Sequence, residues 1–179
     1  MSILNKTWCY LSGPIEYDPD GAKWREDITI ELSKLGVKCF DPYKKPFTTS
    51  VEESTENVQN WKNELKKGNF DLVESFAKRI RSEDLRMVDY ASFLIVYINP
   101  KVPSFGTIEE LSWACRCKKP IFIVVEGGKS NCPLWIMGML PHKYIYNTFE
   151  EVLDKLAQIN SESIEIDSSR WKILKKELL

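Results

Sequence analysis

The sequence contains few residues of the kinds that build metal sites and histidine-based catalysis. It has one histidine, His142, and its closest cysteine pair, Cys115 and Cys117, is separated by a single residue. A histidine-rich metal site is therefore excluded, and so is a Ser-His-Asp triad unless His142 is its base. We interpret the five scattered cysteines as reduced thiols that pack as small hydrophobes. No cofactor is expected.

Long apolar segments and a strong net charge are also missing. No apolar run approaches the roughly 20 residues that a membrane span needs, and the amino terminus lacks the apolar stretch of a signal peptide. With 25 basic and 26 acidic residues the net charge is −1, so neither a nucleic acid polymer nor a membrane is an expected partner. The cytoplasm is the expected compartment. Neither GxGxxG nor a P-loop motif occurs, which counts against dinucleotide and P-loop chemistry.

The pattern of the 179 residues instead predicts one α/β domain over 1–179. Five apolar, β-rich segments are predicted strands: Thr7–Leu11, Val37–Phe40, Phe93–Ile98, Pro120–Val125 and Tyr144–Tyr146. Helical patterns alternate with them: Lys23–Leu35, Ser82–Ala91, Thr107–Lys118 and Thr148–Ile159. Near-continuous apolar strands are typical of a parallel sheet covered by helices on both faces. The expected fold is flavodoxin-like (Rossmann-like), with ligands bound at the carboxyl ends of five parallel strands.

Two segments lie outside that minimal core. Residues 46–81 are predicted to form a helical insertion, with one helix from Ser50 to Lys67 and a second short helix after Gly68. The insertion is either a lid over the site or a solvated excursion. Residues 161–179 are predicted to form an amphipathic helix that docks on its own domain or on a partner subunit.

The loop after the third predicted strand has the strongest chemical pattern. Ser104, Gly106 and Thr107 lead into a helix whose first turn is predicted to contain Glu109 and Glu110. A helix N-terminus has unpaired N–H groups and a partial positive charge, so a carboxylate there is expected to stay ionised and a phosphate could bind beside it. Acidic and hydroxyl residues are also common at helix starts for structural reasons alone.

Other candidates lie near the same sheet edge. Asp84 is predicted at the start of a helix, where it either satisfies the helix dipole or joins Glu110 in one cleft. The Gly13-Pro14 turn directly follows the first strand. Such a turn is usually structural and takes no part in binding. Arg25, next to Trp24, is either a surface residue or an anion clamp.

Three elements occur in order along the chain: Tyr10-Leu-Ser-Gly-Pro-Ile15, Asp84-Leu-x-x-Val-x-x-Ala-x-x-Leu-Ile-Val, and Gly106-Thr-x-x-Glu110-Leu-x-x-Ala114. Together they resemble the nucleoside 2-deoxyribosyltransferase family, including its nucleoside 5′-monophosphate N-hydrolase relatives such as the hydroxymethyl-deoxyuridine monophosphate hydrolase. The resemblance covers residues 7 to about 158, and residues 46–81 fit it poorly.

The resemblance implies catalytic roles for two carboxylates. Glu110 takes the position of the nucleophile that forms a covalent glycosyl ester, and Asp84 that of the acid that assists departure of the base. The stretch Tyr10, Ser12, Gly13, Pro14 and Ile15 matches the lining of the sugar or phosphate pocket. Family members are oligomers in which a neighbouring subunit completes the pocket, here around Trp135.

At Ser104 the sequence resembles the nucleotide hydrolase branch of the family more than the transferase branch. Transferases that act on free nucleosides have an aspartate at this position, whereas the nucleotide hydrolases have a serine that helps to hold the 5′-phosphate. A hydroxyl beside a helix N-terminus favours an anion that an aspartate would repel. We therefore expect a nucleoside 5′-monophosphate to bind through Gly13, Ile15, Ser104, Gly106 and Thr107, with the base stacked on Tyr10, Trp24 or Trp135.

The alternatives are a transferase that uses free nucleosides and a nucleotide-binding module without catalysis. A phosphoribohydrolase for modified adenine nucleotides, an NAD-cleaving hydrolase and a domain whose tail docks on a partner also remain open.

Overall fold

A computed structural model of the protein describes residues 3–18, 21–46, 53–164 and 169–170. Its five strands are β1 (Trp8–Ser12), β2 (Lys38–Phe40), β3 (Phe93–Ile98), β4 (Ile121–Val125) and β5 (Ile145–Tyr146). Its six α-helices are α1 (Gly21–Lys34), α2 (Thr55–Lys66), α3 (Phe70–Tyr90), α4 (Phe105–Arg116), α5 (Leu134–Met137) and α6 (Phe149–Asn160). None of the helices within the described residues is long and apolar enough to cross a lipid bilayer.

The sheet confirms the predicted fold class. Its order is β2-β1-β3-β4-β5 and every pair is parallel, as in flavodoxin-like proteins. The order reverses between β1 and β3, so the loops after these two strands diverge and leave a crevice at the carboxyl edge.

The strands are apolar throughout because helices cover both faces of the sheet. On one face, alternate strand residues such as Leu94 and Val96 pack with Leu111 of α4 and Val88 of α3. On the other face, residues such as Ile95 and Phe122 pack with side chains of α1 and α6. Both clusters are almost fully excluded from solvent, so the sheet is a rigid support for the loops at its edge.

The helices of the insertion differ from the prediction in one important respect. The predicted short helix and the predicted helix Ser82–Ala91 are a single 21-residue helix, α3. Neither glycine nor proline interrupts residues 70–90, so Ser82 continues the helix and does not cap it. Asp84 consequently lies well inside α3, and the prediction that it begins a helix is wrong.

Two further helix starts are corrected. Ser54, whose hydroxyl accepts a hydrogen bond from the Asn57 N–H, caps α2; the predicted capping residue Ser50 lies outside the described residues. The helix α4 begins at Phe105, two residues before the predicted start. Most of the predicted tail helix, residues 165–168 and 171–179, also lies outside the described residues.

Candidate active site

A cavity of about 470 Å³ opens at the carboxyl edge of the sheet, beside the loops that follow β1 and β3. Its polar lining comes from Glu16 after β1, from the start of α4, from the middle of α3, and from Glu53 and Lys62 of the insertion. Its apolar lining comes mainly from the insertion, namely Val58, Trp61 and Leu65 of α2 and Val73, Ala77 and Ile80 of α3, and from Leu85 further along α3. The size is within the range of about 300–1,000 Å³ that is typical of small-molecule sites.

Glu110 lies in the second turn of α4, because the helix begins earlier than predicted. Its side chain is buried against β1, where each carboxylate oxygen accepts a hydrogen bond from a hydroxyl. The Tyr10 hydroxyl donates to Oε1 at 2.7 Å, and the Ser12 hydroxyl donates to Oε2. Two donors on the rigid strand β1 therefore fix the orientation of this carboxylate.

The protonation of Glu110 reflects opposing effects. Burial raises the pKa of the carboxyl above its ordinary value, while the hydrogen bonds from Ser12 and Tyr10 lower it. Burial and the neighbouring carboxylate raise the pKa of Tyr10 well above its usual value, so Tyr10 remains a neutral donor. Hydrogen bonds from β1, and not the first turn of a helix as expected from the sequence, thus oppose the protonation of Glu110.

Asp84 reaches the same cavity from α3. Its Oδ1 lies 2.8 Å from Nζ of Lys45, which also lies 2.8 Å from Oε1 of Glu53. Burial, and then the negative charges of Glu53 and Glu110, raise the pKa of Asp84 well above its ordinary value, although Lys45 opposes this. A carboxyl group with a raised pKa can carry a proton near neutral pH, as a general acid must.

Glu110 differs from the other carboxylates of the cavity in its partners. Glu16 pairs with Lys62 and Glu109 with Arg81, and Asp84 and Glu53 share Lys45. Among the acidic residues that the structure describes in this lining, Glu110 is the one without an ion pair, and neutral hydroxyls are its donors. A carboxylate whose negative charge is not neutralised by a bound cation is better suited to attack an electrophilic carbon.

The β1 loop is held against the sheet by a buried arginine. Arg25 is fully buried and donates hydrogen bonds to the carbonyls of Leu11 and Gly13, at 3.3 and 2.8 Å, and to that of Gly21. A Cβ atom on Gly13 would lie 2.8 Å from the Trp24 ring, so only glycine fits in this turn. The structure therefore places Arg25 neither on the surface nor in the cavity. It anchors the Gly13-Pro14 turn, whose two residues line the cavity with Ile15.

The start of α4 forms an open rim of the cavity. Ser104 is the N-terminal capping residue, but its side chain makes no capping hydrogen bond. A Cβ atom on Gly106 would meet nothing within 4 Å, and Thr107 is buried behind it. The helix N-terminus thus borders open space that contacts the cavity through Ser104, Gly106 and Thr107.

The sequence model of one protein family, the nucleoside 2-deoxyribosyltransferases, matches residues 9–156. The chain belongs to this family. Its members are enzymes that act on N-glycosidic bonds of nucleosides, either transferring the sugar or releasing the base. The matched range contains Asp84, Glu110 and all of the sheet except Trp8, the first residue of β1.

Two solved structures are similar to this family member. One is the 2-desoxiribosyltransferase from Leishmania mexicana, with 17% identity, a TM-score of 0.43 and alignment over 68% of this chain and 66% of that one. The other is the Clostridium botulinum CMP N-glycosidase BcmB, with 18% identity, a TM-score of 0.47 and alignment over 84% of this chain and 98% of that one. The chain thus spans just under two thirds of the Leishmania protein. No curated protein sequence matches it.

The three aromatic residues expected to stack on a base are not in the cavity lining. Tyr10 is fully buried beneath Glu110, so it presents no ring face. Trp24 packs on the other face of the sheet, with its ring stacked on that of Phe149 at a centroid distance of 5.1 Å. Trp135 is 81% exposed on α5, and its contribution to a neighbouring subunit's pocket stays a prediction.

Sequence reasoning left the contribution of the insertion open, as a lid or a solvated excursion, named none of its residues for the site, and missed the segment after β2. Trp61, Lys62 and Arg81 line the cavity, and Lys45 binds Asp84. One signal was available for Lys45: it follows β2, whose carboxyl end lies on the same sheet edge as the other candidates. The apolar stripes of α2 and α3 offered no comparable signal, because such stripes usually face a protein core.

Proposed function

We propose that this protein cleaves the N-glycosidic bond of a nucleoside 5′-monophosphate through a covalent glycosyl ester of Glu110. The observation that carries this proposal is the buried carboxylate of Glu110, which is aligned by Tyr10 and Ser12 and has no ion pair within the described part of the chain. Family membership supports the reaction class.

In the proposed first step, one oxygen of Glu110 attacks C1′ of the sugar as the bond from C1′ to the base nitrogen breaks. The electron pair of that bond leaves with the base, and Asp84 donates a proton to it. Its raised pKa and its place in the same cavity suit this role. Water then attacks C1′ of the ester and gives a proton to Asp84, which releases the sugar phosphate and restores the Glu110 carboxylate and the Asp84 acid.

The structure of the cavity rim supports the proposed preference for a nucleoside monophosphate over a free nucleoside. Ser104 has a hydroxyl that makes no capping bond, and the backbone N–H groups of the first turn of α4 lie beside open space at Gly106. Such a site favours an anion. The carboxylates near it, Glu16 and Glu109, are neutralised by Lys62 and Arg81.

Release of free base tests the proposal. The protein is incubated with the common nucleosides and their 5′-monophosphates, ribo and deoxy, with and without a second base as acceptor, and the products are separated by chromatography. We expect free base from monophosphates in the absence of an acceptor. A new nucleoside that forms only with an acceptor would identify a transferase instead. Ligand binding without any released base would identify a binding module.

The covalent step has a separate test. Rapid acid quenching during turnover, followed by mass spectrometry of the protein and of its proteolytic peptides, should detect the added mass of the sugar phosphate and locate it on the peptide that contains Glu110. Turnover by the wild-type protein with no adduct in a single-turnover time course would contradict the ester and favour direct attack by water.

A further inference from the structure

The segment after β2 contributes one cation to the interior of the site. Lys45 directly follows a short 3-10 turn at Pro42–Lys44, and its side chain is fully buried. Its Nζ lies 2.8 Å from Asp84, 2.8 Å from Glu53 and 3.7 Å from Glu83. The carboxylates compensate the charge of this fully buried side chain, whose burial would otherwise be costly.

Because most charged groups near Asp84 are negative, Lys45 is the main group that favours its ionised form. The negative charges that act on Asp84 are Glu53 from the segment before α2 and Glu110 from α4, with neutral Tyr10 on β1, while Glu83 of α3 lies 3.7 Å from Lys45. Arg79 pairs with Glu83 at 3.2 Å, which leaves Lys45 as the direct cationic partner of Asp84 among the described residues. Without Lys45, the other charged groups close to Asp84 would be predominantly negative.

Lys45 also connects three parts of the structure that differ in how firmly they are held. Lys45 lies in the segment that follows β2 at the sheet edge. Its side chain contacts α3 at Asp84, and it contacts Glu53, two residues before α2 begins. Within α2 no residue is buried, and its main neighbour is α3. The ion pairs of Lys45 are thus a fixed connection from the sheet to the wall of the cavity.

We propose that Lys45 is a positioning residue for the reaction, which holds Asp84 in the cavity, controls its proton and couples the insertion to the catalytic centre through Glu53. This inference rests on the function proposed above. It goes beyond that function because it assigns a role to a residue outside the cavity lining and to the partner, Glu53, that competes with Asp84 for the same ammonium group.

The proposal predicts pH effects of opposite sign for the two partners of Asp84. Lys45 lowers the pKa of Asp84 and Glu53 raises it. An acid that donates its proton loses activity as the pH rises through its pKa. Lys45→Met should therefore move the alkaline limb of the kcat profile to higher pH, and Glu53→Gln should move it to lower pH.

The experiment measures kcat and KM against pH for the wild type, Lys45→Met, Lys45→Arg, Glu53→Gln and Lys44→Met. We expect Lys45→Met to lower kcat about 10- to 100-fold, as for a displaced catalytic group, and Lys45→Arg to keep the alkaline limb near its wild-type position. Lys44→Met is the matched control, because the neighbouring Lys44 is exposed and pairs with Glu26 on the surface. It should change neither the limb nor kcat.

Thermal unfolding of each variant shows whether the fold is retained. If Lys45→Met folds, shifts of opposite sign in Lys45→Met and Glu53→Gln support the proposal. If it does not fold, because it leaves buried carboxylates uncompensated, a shift to lower pH in Glu53→Gln with an unshifted limb in Lys45→Arg supports it. An unchanged alkaline limb in folded Glu53→Gln, or a limb that moves in the same direction in Lys45→Met and Glu53→Gln, would overturn it.

Failure of the proposed function gives a different result. If the wild type releases no base from any substrate, unfolding free energy against pH becomes the measurement. A raised pKa in the folded state makes stability fall as pH rises between the unfolded and folded values. Lys45→Met should extend this fall in stability to higher pH than in the wild type. When Asp84→Asn is present in both proteins, the two pH dependences should no longer differ. The absence of any difference between Lys45→Met and the wild type in this measurement would contradict the control of Asp84 by Lys45.

Discussion

The base of the cavity and its outer wall are built in different ways. At the base, β1 and α4 hold Glu110 between two hydroxyl donors in a part of the fold that is almost fully buried. The wall is made by α2 and the first half of α3, where none of the described residues is buried and the contacts between helices include the stacked rings of Trp61 and Phe76. Under the proposed function, the attack by Glu110 takes place in the rigid region, and apolar contact with the substrate falls to the more exposed region.

The largest expected effect follows from replacing the carboxylate at the base. Glu110→Gln should lower kcat by about 1,000-fold or more, because the amide is not a nucleophile. The variant should unfold at the same temperature as the wild type or higher near neutral pH. Since burial raises the pKa of Glu110, keeping it ionised there costs free energy that the neutral amide avoids. Calorimetry and base release measure the two effects.

The adjacent residue provides the matched control for that variant. Glu109 is half-exposed and pairs with Arg81 at the rim. Surface ion pairs contribute at most about 1 kcal/mol, so Glu109→Gln should keep the fold and most of the activity. Equal loss of kcat in both variants would show that the negative charge of this helix turn matters, and not a nucleophile at position 110.

The donors on β1 should have the next largest effect. Tyr10→Phe removes one hydrogen bond that lowers the pKa of Glu110, so the carboxylate becomes harder to ionise and less well oriented. We expect kcat to fall about 10- to 100-fold, with the acidic limb of the pH profile shifted to higher pH. Ser12→Ala should shift that limb in the same direction. A loss of kcat without a shift would indicate that the Tyr10 hydroxyl orients the carboxylate without controlling its ionisation.

The sequence predicted the base of the cavity much better than the wall. Continuous apolar strands indicate a parallel sheet, and topology then brings the loops after β1 and β3 to one edge. The hydrogen-bond donors to Glu110 were not predictable. From the sequence Tyr10 is simply a residue of a buried strand, and its contact with Glu110 depends on the packing of α4 on β1. The length of α3 was not predicted for a related reason. A serine such as Ser82 occurs both as a helix cap and within helices, and the sequence alone does not distinguish the two.

The rim of the cavity gives an intermediate effect that separates substrates. Ser104→Asp places a negative charge at the open N-terminal end of α4. It should raise KM for a nucleoside monophosphate about tenfold or more, because an aspartate repels the phosphate, and change KM for the free nucleoside much less. Ser104→Ala is the control without charge. Equal loss with both substrates would contradict phosphate binding at this position.

The wall should show the smallest effect, and of a different kind. Trp61→Ala removes apolar surface from the cavity and the stacking contact with Phe76, so it should raise KM by up to about tenfold, as for a lost apolar contact, with kcat nearly unchanged. Because Trp61 is only partly buried, the loss of stability should be about 1 kcal/mol. Phe70→Ala is the matched control, since Phe70 is 66% exposed on α3 and is not among the residues that line the cavity. If Trp61→Ala instead lowers kcat as strongly as Tyr10→Phe, the wall takes part in the alignment of Glu110 or Asp84, and the separation between a rigid catalytic base and an exposed binding wall fails.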